Sequence, residues 1–223
     1  MSRVVDAQQK NPRHVLITGG GTGIGAATAR AFAGCGYRMT IAGRRLAPLE
    51  CVAAELTNPE LKNVEVVIAD VTNEAACLSM VEKARNTHGP IDIVIVNAGA
   101  AEGKPFAGTT LDLWQQIIDV NLTGAFLTAK AALPDLLRDE EADGLRRLVF
   151  IASTAGLKGF PYVAPYCAAK HGVVGLTRAL AQEYAKTALT VNAVCPGFVA
   201  TPLFDASIAA IVAKTGRTPE QAT

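Results

Sequence analysis

Tyr166-Cys167-Ala168-Ala169-Lys170 sets a phenol and an ammonium four residues apart. On a helix that spacing puts both on one face. An ammonium beside a phenol stabilises the phenolate and lowers its pKa from about 10 towards working pH. Such a tyrosine can give or take a proton at a carbonyl or alcohol oxygen. The spacing arises often by chance, so it gains meaning only from its company. Tyr162 has no such partner, and Lys186 lies two residues from Tyr184, on a different helix face. Ser153 follows an apolar run at 147–152 and precedes Tyr166 by 13 residues. A hydroxyl at the carboxyl end of a strand faces the ligand crevice of an open α/β sheet, where it could bond a substrate oxygen; the ordinary alternative is a turn serine.

A second group could hold an anion. The apolar run 14–18 leads into Thr18-Gly19-Gly20-Gly21-Thr22-Gly23-Ile24-Gly25, and a small-residue helical stretch follows at 26–33. Strand, glycine turn and helix start together make a pyrophosphate cradle, because glycines let the backbone approach and the helix N-terminus offers free N–H groups. A glycine loop alone is only a flexible turn; its strand and helix context here makes it a good candidate for a dinucleotide site. A common dinucleotide fold places an acid about 20 residues later to bind the ribose 2′-hydroxyl. Here the next strand ends Ala42-Gly43-Arg44-Arg45, with no acid. Guanidinium groups at that point suit a 2′-phosphate, which a carboxylate would repel. Arg44 and Arg45 therefore favour NADP(H) over NAD(H).

The elements that must position these residues alternate. Short apolar runs at 14–18, 38–42, 64–69, 91–96, 147–152 and 189–194 read as strands. Stretches at 26–33, 46–56, 74–88, 111–137, 166–184 and 204–214 read as helices. Continuous apolar strands alternating with helices predict a doubly wound parallel sheet of Rossmann type, covered on both faces, three layers in one domain. Residues 1–12 read as a polar tail and 13–223 as one cofactor-binding catalytic domain, with a substrate lid at about 201–216.

Composition narrows the class. The 223 residues are 50% hydrophobic and 18% charged, enough for a sizeable core. The 21 Lys+Arg balance 20 Asp+Glu, so net charge gives no reason to expect nucleic acid or a membrane surface. Mean hydropathy is +0.25, yet no apolar stretch is long enough to span a bilayer. Cys35, Cys51, Cys77, Cys167 and Cys195 are scattered, and read as reduced thiols of a cytoplasmic protein. His14, His88 and His171 have no metal-ligand spacing, so no metal site is expected.

Taken together, these residues resemble the classical short-chain dehydrogenase/reductase family over roughly residues 14 to 202. Thr18, Gly19, Gly23 and Gly25 fit its TGxxxGxG pattern, and Asn97-Ala98-Gly99 its NAG motif. Asp70-Val71 is similar to its adenine-binding pair, Asn121 to its helix asparagine, and Ser153, Tyr166 and Lys170 to its serine and YxxxK set. Pro196-Gly197 followed by Thr201 resembles its PG motif and the threonine that contacts the nicotinamide carboxamide. The resemblance implies that Tyr166 is the general acid of ketone reduction and the base of alcohol oxidation. It implies that Lys170 lowers the Tyr166 pKa and binds the nicotinamide ribose, that Ser153 orients the carbonyl, and that Asn121 holds a water in a proton relay. Gly19, Gly21, Thr22, Gly23, Ile24, Gly25, Arg44, Arg45, Asp70, Val71, Asn97, Ala98, Gly99, Pro196, Gly197 and Thr201, with Tyr166 and Lys170, are its cofactor-binding counterparts.

Two departures stand out. Members run near 250 residues, and nothing after Thr201 resembles their seventh, edge strand; the expectation is that this chain omits it, leaving the sixth strand as an exposed edge. Many NADP-dependent members carry a basic residue where Thr22 stands. The favoured activity is reduction of an apolar or acyl-type ketone, with 3-oxoacyl thioesters as a plausible class: a carbonyl reductase whose pocket is lined by Leu157, Phe160 and Pro161, and by Leu203, Phe204, Ile208 and Ile211 of the lid. The alternatives are an NAD-dependent alcohol dehydrogenase and a nucleotide sensor without turnover. The family's habit implies a homodimer or homotetramer. Ala168, Ala169, Gly172 and Gly175 would permit close helix contact between copies, or packing within one.

Overall fold

The computed structural model describes residues 12–57, 63–138, 146–201 and 218. Among these residues six parallel strands form one sheet: β1 (His14–Thr18), β2 (Arg38–Gly43), β3 (Val64–Ile68), β4 (Ile93–Val96), β5 (Arg146–Ile151) and β6 (Leu189–Val194). Their order is β3-β2-β1-β4-β5-β6. The chain works outward from β1 in one direction and then returns to β4 on its other side. This reversal opens a crevice beyond the carboxyl ends of β1 and β4, where such sheets bind ligands. The register pairs Val15 with Met39 on one side and with Ile93 on the other.

The strands are apolar on both faces because both are covered. Val15 and Ile17 pack with Met39, Ile41, Ile93 and Ile95 against α1 (Gly23–Ala33) and α2 (Leu46–Leu56). Leu16, Val94, Leu148 and Phe150 point the other way, against α3 (Glu74–His88), α5 (Gly124–Leu136) and α6 (Ala164–Glu183). Side chains alternate from face to face along a strand, yet in the central strands β1 and β4 every position is buried.

Most element boundaries agree with expectation, and the differences have local causes. The first helix starts at Gly23 rather than at residue 26, because Gly23–Gly25 themselves make its first turn. The strand expected from residue 91 starts at Ile93, and Asp92 instead carries ion pairs to Arg138 and Arg146. The helix expected from residue 166 begins at Ala164, where Pro165 supplies a preset φ in the first turn. The single helix expected over 111–137 is interrupted. It runs as α4 (Leu111–Ile118), a π-helical turn over Asp119–Thr123, and then α5. One extra residue in that turn shifts the helical face, a device often found at functional sites. The expected polar tail up to residue 11, the lid beyond Thr201, its four lining residues and the 204–214 helix lie outside the described residues. Among the described residues β6 is the last strand of the sheet, with Thr190, Asn192 and Val194 exposed.

Candidate active site

The glycine loop is built by close approach. Gly19 has φ +66° and Gly23 φ +53°, left-handed values that side chains resist. A β-carbon on Gly25 would stand 2.2 Å from the Gly19 carbonyl oxygen and 2.6 Å from Asn97 Nδ2. The turn is therefore folded onto itself and onto the exit of β4. Thr22 precedes α1, gives it no side-chain cap, and no acid stands in its first turn. A helix N-terminus without a side-chain cap or a first-turn acid carries partial positive charge, which fits a pyrophosphate. Gly21 packs against the start of α2: its β-carbon would meet Leu49 N and Pro48 Cβ at 3.1 Å. Ile24 lies partly exposed in the first turn.

The tips of β1 and β4 are locked together across the crevice. Asn97 Nδ2 donates to the carbonyls of Thr18 at 2.9 Å and Gly19 at 3.2 Å. The backbone N–H groups of Asn97 and Ala98 in turn donate to Thr18 Oγ1 at 3.0 and 3.2 Å. Thr18 is fully buried, so its hydroxyl acts here as part of the scaffold. A β-carbon on Gly99 would sit 2.8 Å from Asn121 Oδ1 and 3.7 Å from Lys170 Nζ. Asn97-Ala98-Gly99 thus brings the glycine loop within reach of the two helices that carry the polar residues.

Asn121 lies in the π-helical turn and is 1% exposed. Its Nδ2 donates to Ala100 O at 2.7 Å and Ile117 O at 2.9 Å, while its Oδ1 accepts from Ala100 N at 3.3 Å. The side chain holds the loop after β4 against the helix break. Sequence reading anticipated the residue but not this use of its amide.

Ser153 leaves β5 and its Oγ accepts from Ala155 N at 3.0 Å. Tyr166 stands in the first turn of α6 and Lys170 one turn later, both on the face towards Ser153. Lys170 is buried; its Nζ donates to Ile151 O at 2.9 Å and lies 5.5 Å from the centre of the Tyr166 ring. Burial pulls the Lys170 pKa down to about 8. Burial also pushes the Tyr166 phenol up, opposed by its hydrogen bond with Ser153. This corrects one expectation, that Lys170 lowers the Tyr166 pKa: the phenol stands above its ordinary value, with burial the largest cause. The physical reason is desolvation, which penalises the charged form of both groups before any anion enters.

The far end of the crevice carries the other candidates. Arg44 and Arg45 are exposed just beyond β2. Thr72 donates to Asp70 Oδ1 through its N–H at 3.0 Å and its hydroxyl at 2.8 Å. These bonds hold the Asp70 carboxyl below its usual range, and the Arg44 charge adds to the effect. Val71 is buried, and its methyl would lie 2.7 Å from a β-carbon on Gly124. Pro196 O accepts from Thr154 N at 2.9 Å, tying the Pro196-Gly197 turn to the Ser153 loop. Thr201 reaches back to the glycine loop, with its methyl 3.2 Å from where a Gly23 β-carbon would be. An apolar cavity of about 410 Å³ opens between α1 and residues 199–201.

Some expectations divide. A β-carbon on Gly172 would meet Leu122 at 2.8 Å, so this glycine serves packing inside the chain, whereas Gly175 has open space around it. His171 is exposed and its Nδ1 is bonded to Cys167 O at 2.9 Å. Among the described residues, no cluster of three or more His, Cys, Asp or Glu could hold a metal ion. No described helix is long and apolar enough to cross a membrane. Sequence reading missed the contact of Phe160 with Phe198, because the two are far apart in the chain, and did not single out Lys158, whose ammonium lies over the Phe160 ring.

The short chain dehydrogenase family matches this chain over residues 13–211. The chain therefore belongs to that family, whose members act on a carbonyl or a secondary alcohol with a nicotinamide dinucleotide. It is 40% identical over 196 residues to a protein of Streptomyces virginiae named for ketoacyl reduction in the monensin polyketide synthase, covering 87% of this chain and 74% of that one. It superposes on a variant actinorhodin polyketide ketoreductase with NADPH at a TM-score of 0.86 and 34% identity, over 95% of this chain and 80% of the other. A 3-ketoacyl-(acyl-carrier-protein) reductase of Brucella melitensis complexed with NADH gives 0.82 and 31%, over 87% and 79%.

Proposed function

We propose that this enzyme reduces an apolar or acyl-type ketone with NADPH. The observation that carries the cofactor choice is the end of β2. Arg44 stands there in place of a carboxylate, exposed, close enough to Asp70 for its charge to favour the ionised acid. A guanidinium in that position offers a 2′-phosphate charge-assisted bonds, and a 2′-hydroxyl has much less to gain from it. The glycine loop and the uncapped start of α1 would hold the pyrophosphate, with Asp70 and Val71 towards the adenine and Pro196-Gly197 and Thr201 towards the nicotinamide. The bound cofactor supplies the hydride.

The chain's own residues do the rest. Ser153 and Tyr166 would share the substrate oxygen, Ser153 by orienting it and Tyr166 by giving it a proton from its hydroxyl. Burial keeps that phenol protonated in the free site, the form a reductase needs. Lys170 would meet the nicotinamide ribose and favour the phenolate left after transfer, while Asn121 fixes the loop that walls the site. Acyl substrates of the 3-oxoacyl kind are supported by the relatives' names and by the exposed apolar Leu157 near Ser153. Residues 13–223 would act as one catalytic domain in a cytoplasmic homodimer or homotetramer.

Fluorescence titration with NADPH and NADH tests this. Wild type should bind NADPH at least tenfold more tightly, and Arg44→Asp should erase or reverse the preference. Equal affinities in the wild type, or an unchanged preference in the variant, refute the cofactor assignment.

A further inference from the structure

The loop from Thr154 to Val163 joins Ser153 to Tyr166, so whatever ketone these two hold must lie beside it. The segment 196–201 is tied to this loop by the bond from Thr154 N to Pro196 O. The two meet again through Phe160 and Phe198, edge to face, with ring centres 6.3 Å apart. Leu157 is 57% exposed and Phe198 70%. Large apolar groups bared beside a catalytic pair mark a surface meant for something else.

Within both segments Lys158 is the sole charged residue. Its Nζ stands 5.1 Å from the centre of the Phe160 ring. That contact positions the ammonium on the aromatic wall without satisfying its three N–H donors. Among the described residues no carboxylate pairs with it. The facing loop after β4 is joined to this one by Lys104 N donating to Tyr162 O at 2.6 Å. That loop carries Glu102 and Lys104, one charge of each sign, so it does not cancel Lys158. Proton and hydride transfer need no cation at this place. Lys158 is exposed on that wall, so water screens its charge at long range and it acts on an anion at contact distance.

We propose that Lys158 reads an anionic group on the substrate, so that the preferred ketones carry a carboxylate or phosphate, with their apolar part held against Phe160 and Phe198. This rests on the ketone-reductase proposal and narrows its substrate class. The shared chemistry is the anion, whether a free 3-oxo acid or the phosphate-bearing carrier of a thioester supplies it.

The experiment compares NADPH oxidation with acetoacetate, acetoacetyl-coenzyme A and the neutral ethyl acetoacetate, for wild type, Lys158→Met and Lys158→Arg in the full chain. The readout is kcat/KM for each acidic ketone divided by that for the neutral ester. In the wild type at least one ratio should exceed ten, fall about tenfold in Lys158→Met chiefly through KM, and be kept by Lys158→Arg. A fall for acetoacetate alone assigns the anion to a free carboxylate. A fall for the coenzyme A thioester alone assigns it to the carrier's phosphate. Wild-type ratios near one, or ratios that Lys158→Met leaves unchanged, overturn the role of Lys158 while ester turnover keeps the reductase proposal standing. Turnover of none of the three overturns both.

Discussion

The charge states of Tyr166 and Lys170 are set by burial before anything binds. Burial pulls the Lys170 pKa down to about 8 because its ammonium is desolvated, with the Ile151 carbonyl as its one close hydrogen-bond partner among the described residues. Its folded pKa lies below the ordinary value, so the ammonium is present below pH 8 and lost as pH rises through it. If Lys170 acts on the ribose and the phenolate as its cation, kcat/KM for reduction should be flat up to about pH 7.5. It should then fall towards one decade per pH unit above about 8. The pH profile of kcat/KM with a saturating cofactor checks this. A profile flat to pH 9.5 would mean that the Lys170 charge is not required, or that bound cofactor holds it charged. A pH titration of Lys170 by NMR on the complex with NADPH separates these two.

At the scale of elements, the glycines differ in what they permit. Gly25→Ala would drive a methyl group into the Gly19 carbonyl and Asn97, both fixed, one by the backbone and the other by bonds to Thr18 and Gly19. The expected outcome is a loss of several kcal/mol in urea unfolding, or failure to fold, together with loss of dinucleotide binding. Gly175 lies inside α6 with nothing within 4 Å of where a methyl group would stand. There Gly175→Ala should stabilise by up to about 1 kcal/mol, the helix-propensity difference. A loss there would show that α6 packs closely against another surface. The contrast also shows what was legible. Six strands and their helices are readable from apolar runs, and the motif residues from strand-loop-helix context, because those signals are local. The π-helical turn at Asp119–Thr123 was not, since one extra residue in a helix leaves the hydrophobic spacing nearly intact. The bonds of Asn121 to Ala100 and the approach of Phe160 to Phe198 were equally hidden, being decided by which loops the sheet order brings together.

Across the whole molecule the sheet separates two kinds of polar cluster. The candidate site lies at the carboxyl ends of the strands, and an ionic cluster sits at their amino ends. His14 opens β1 at 1% exposure. Its Nδ1 is 2.9 Å from Gly89 O, which can only accept, so that nitrogen carries the proton. Its Nε2 lies 2.9 Å from Thr40 Oγ1 and accepts from that hydroxyl. The His88 ring stands edge-on at 5.2 Å, and Arg38 binds the His88 carbonyl. Asp92 accepts from His14 N and pairs with Arg138 and Arg146. Burial, followed by the charges of His88 and Arg38, outweighs Gly89 and Asp92 and lowers the His14 pKa from 6.5 to about 4. His88 shifts in the same direction, again mainly by burial. The unfolded chain therefore binds more protons than the fold between pH 4 and 6.5, and stability must fall as pH drops through that window. For His14 alone the loss is about 3 kcal/mol, at 1.36 kcal/mol per pKa unit. The His14→Gln variant should be less stable than wild type at pH 7, having lost a well-bonded ring. Its urea midpoint should nevertheless change less between pH 6.5 and 4, because the titrating group is gone. If the midpoints of variant and wild type fall in parallel over that range, the acid sensitivity resides elsewhere than in the buried histidine of β1.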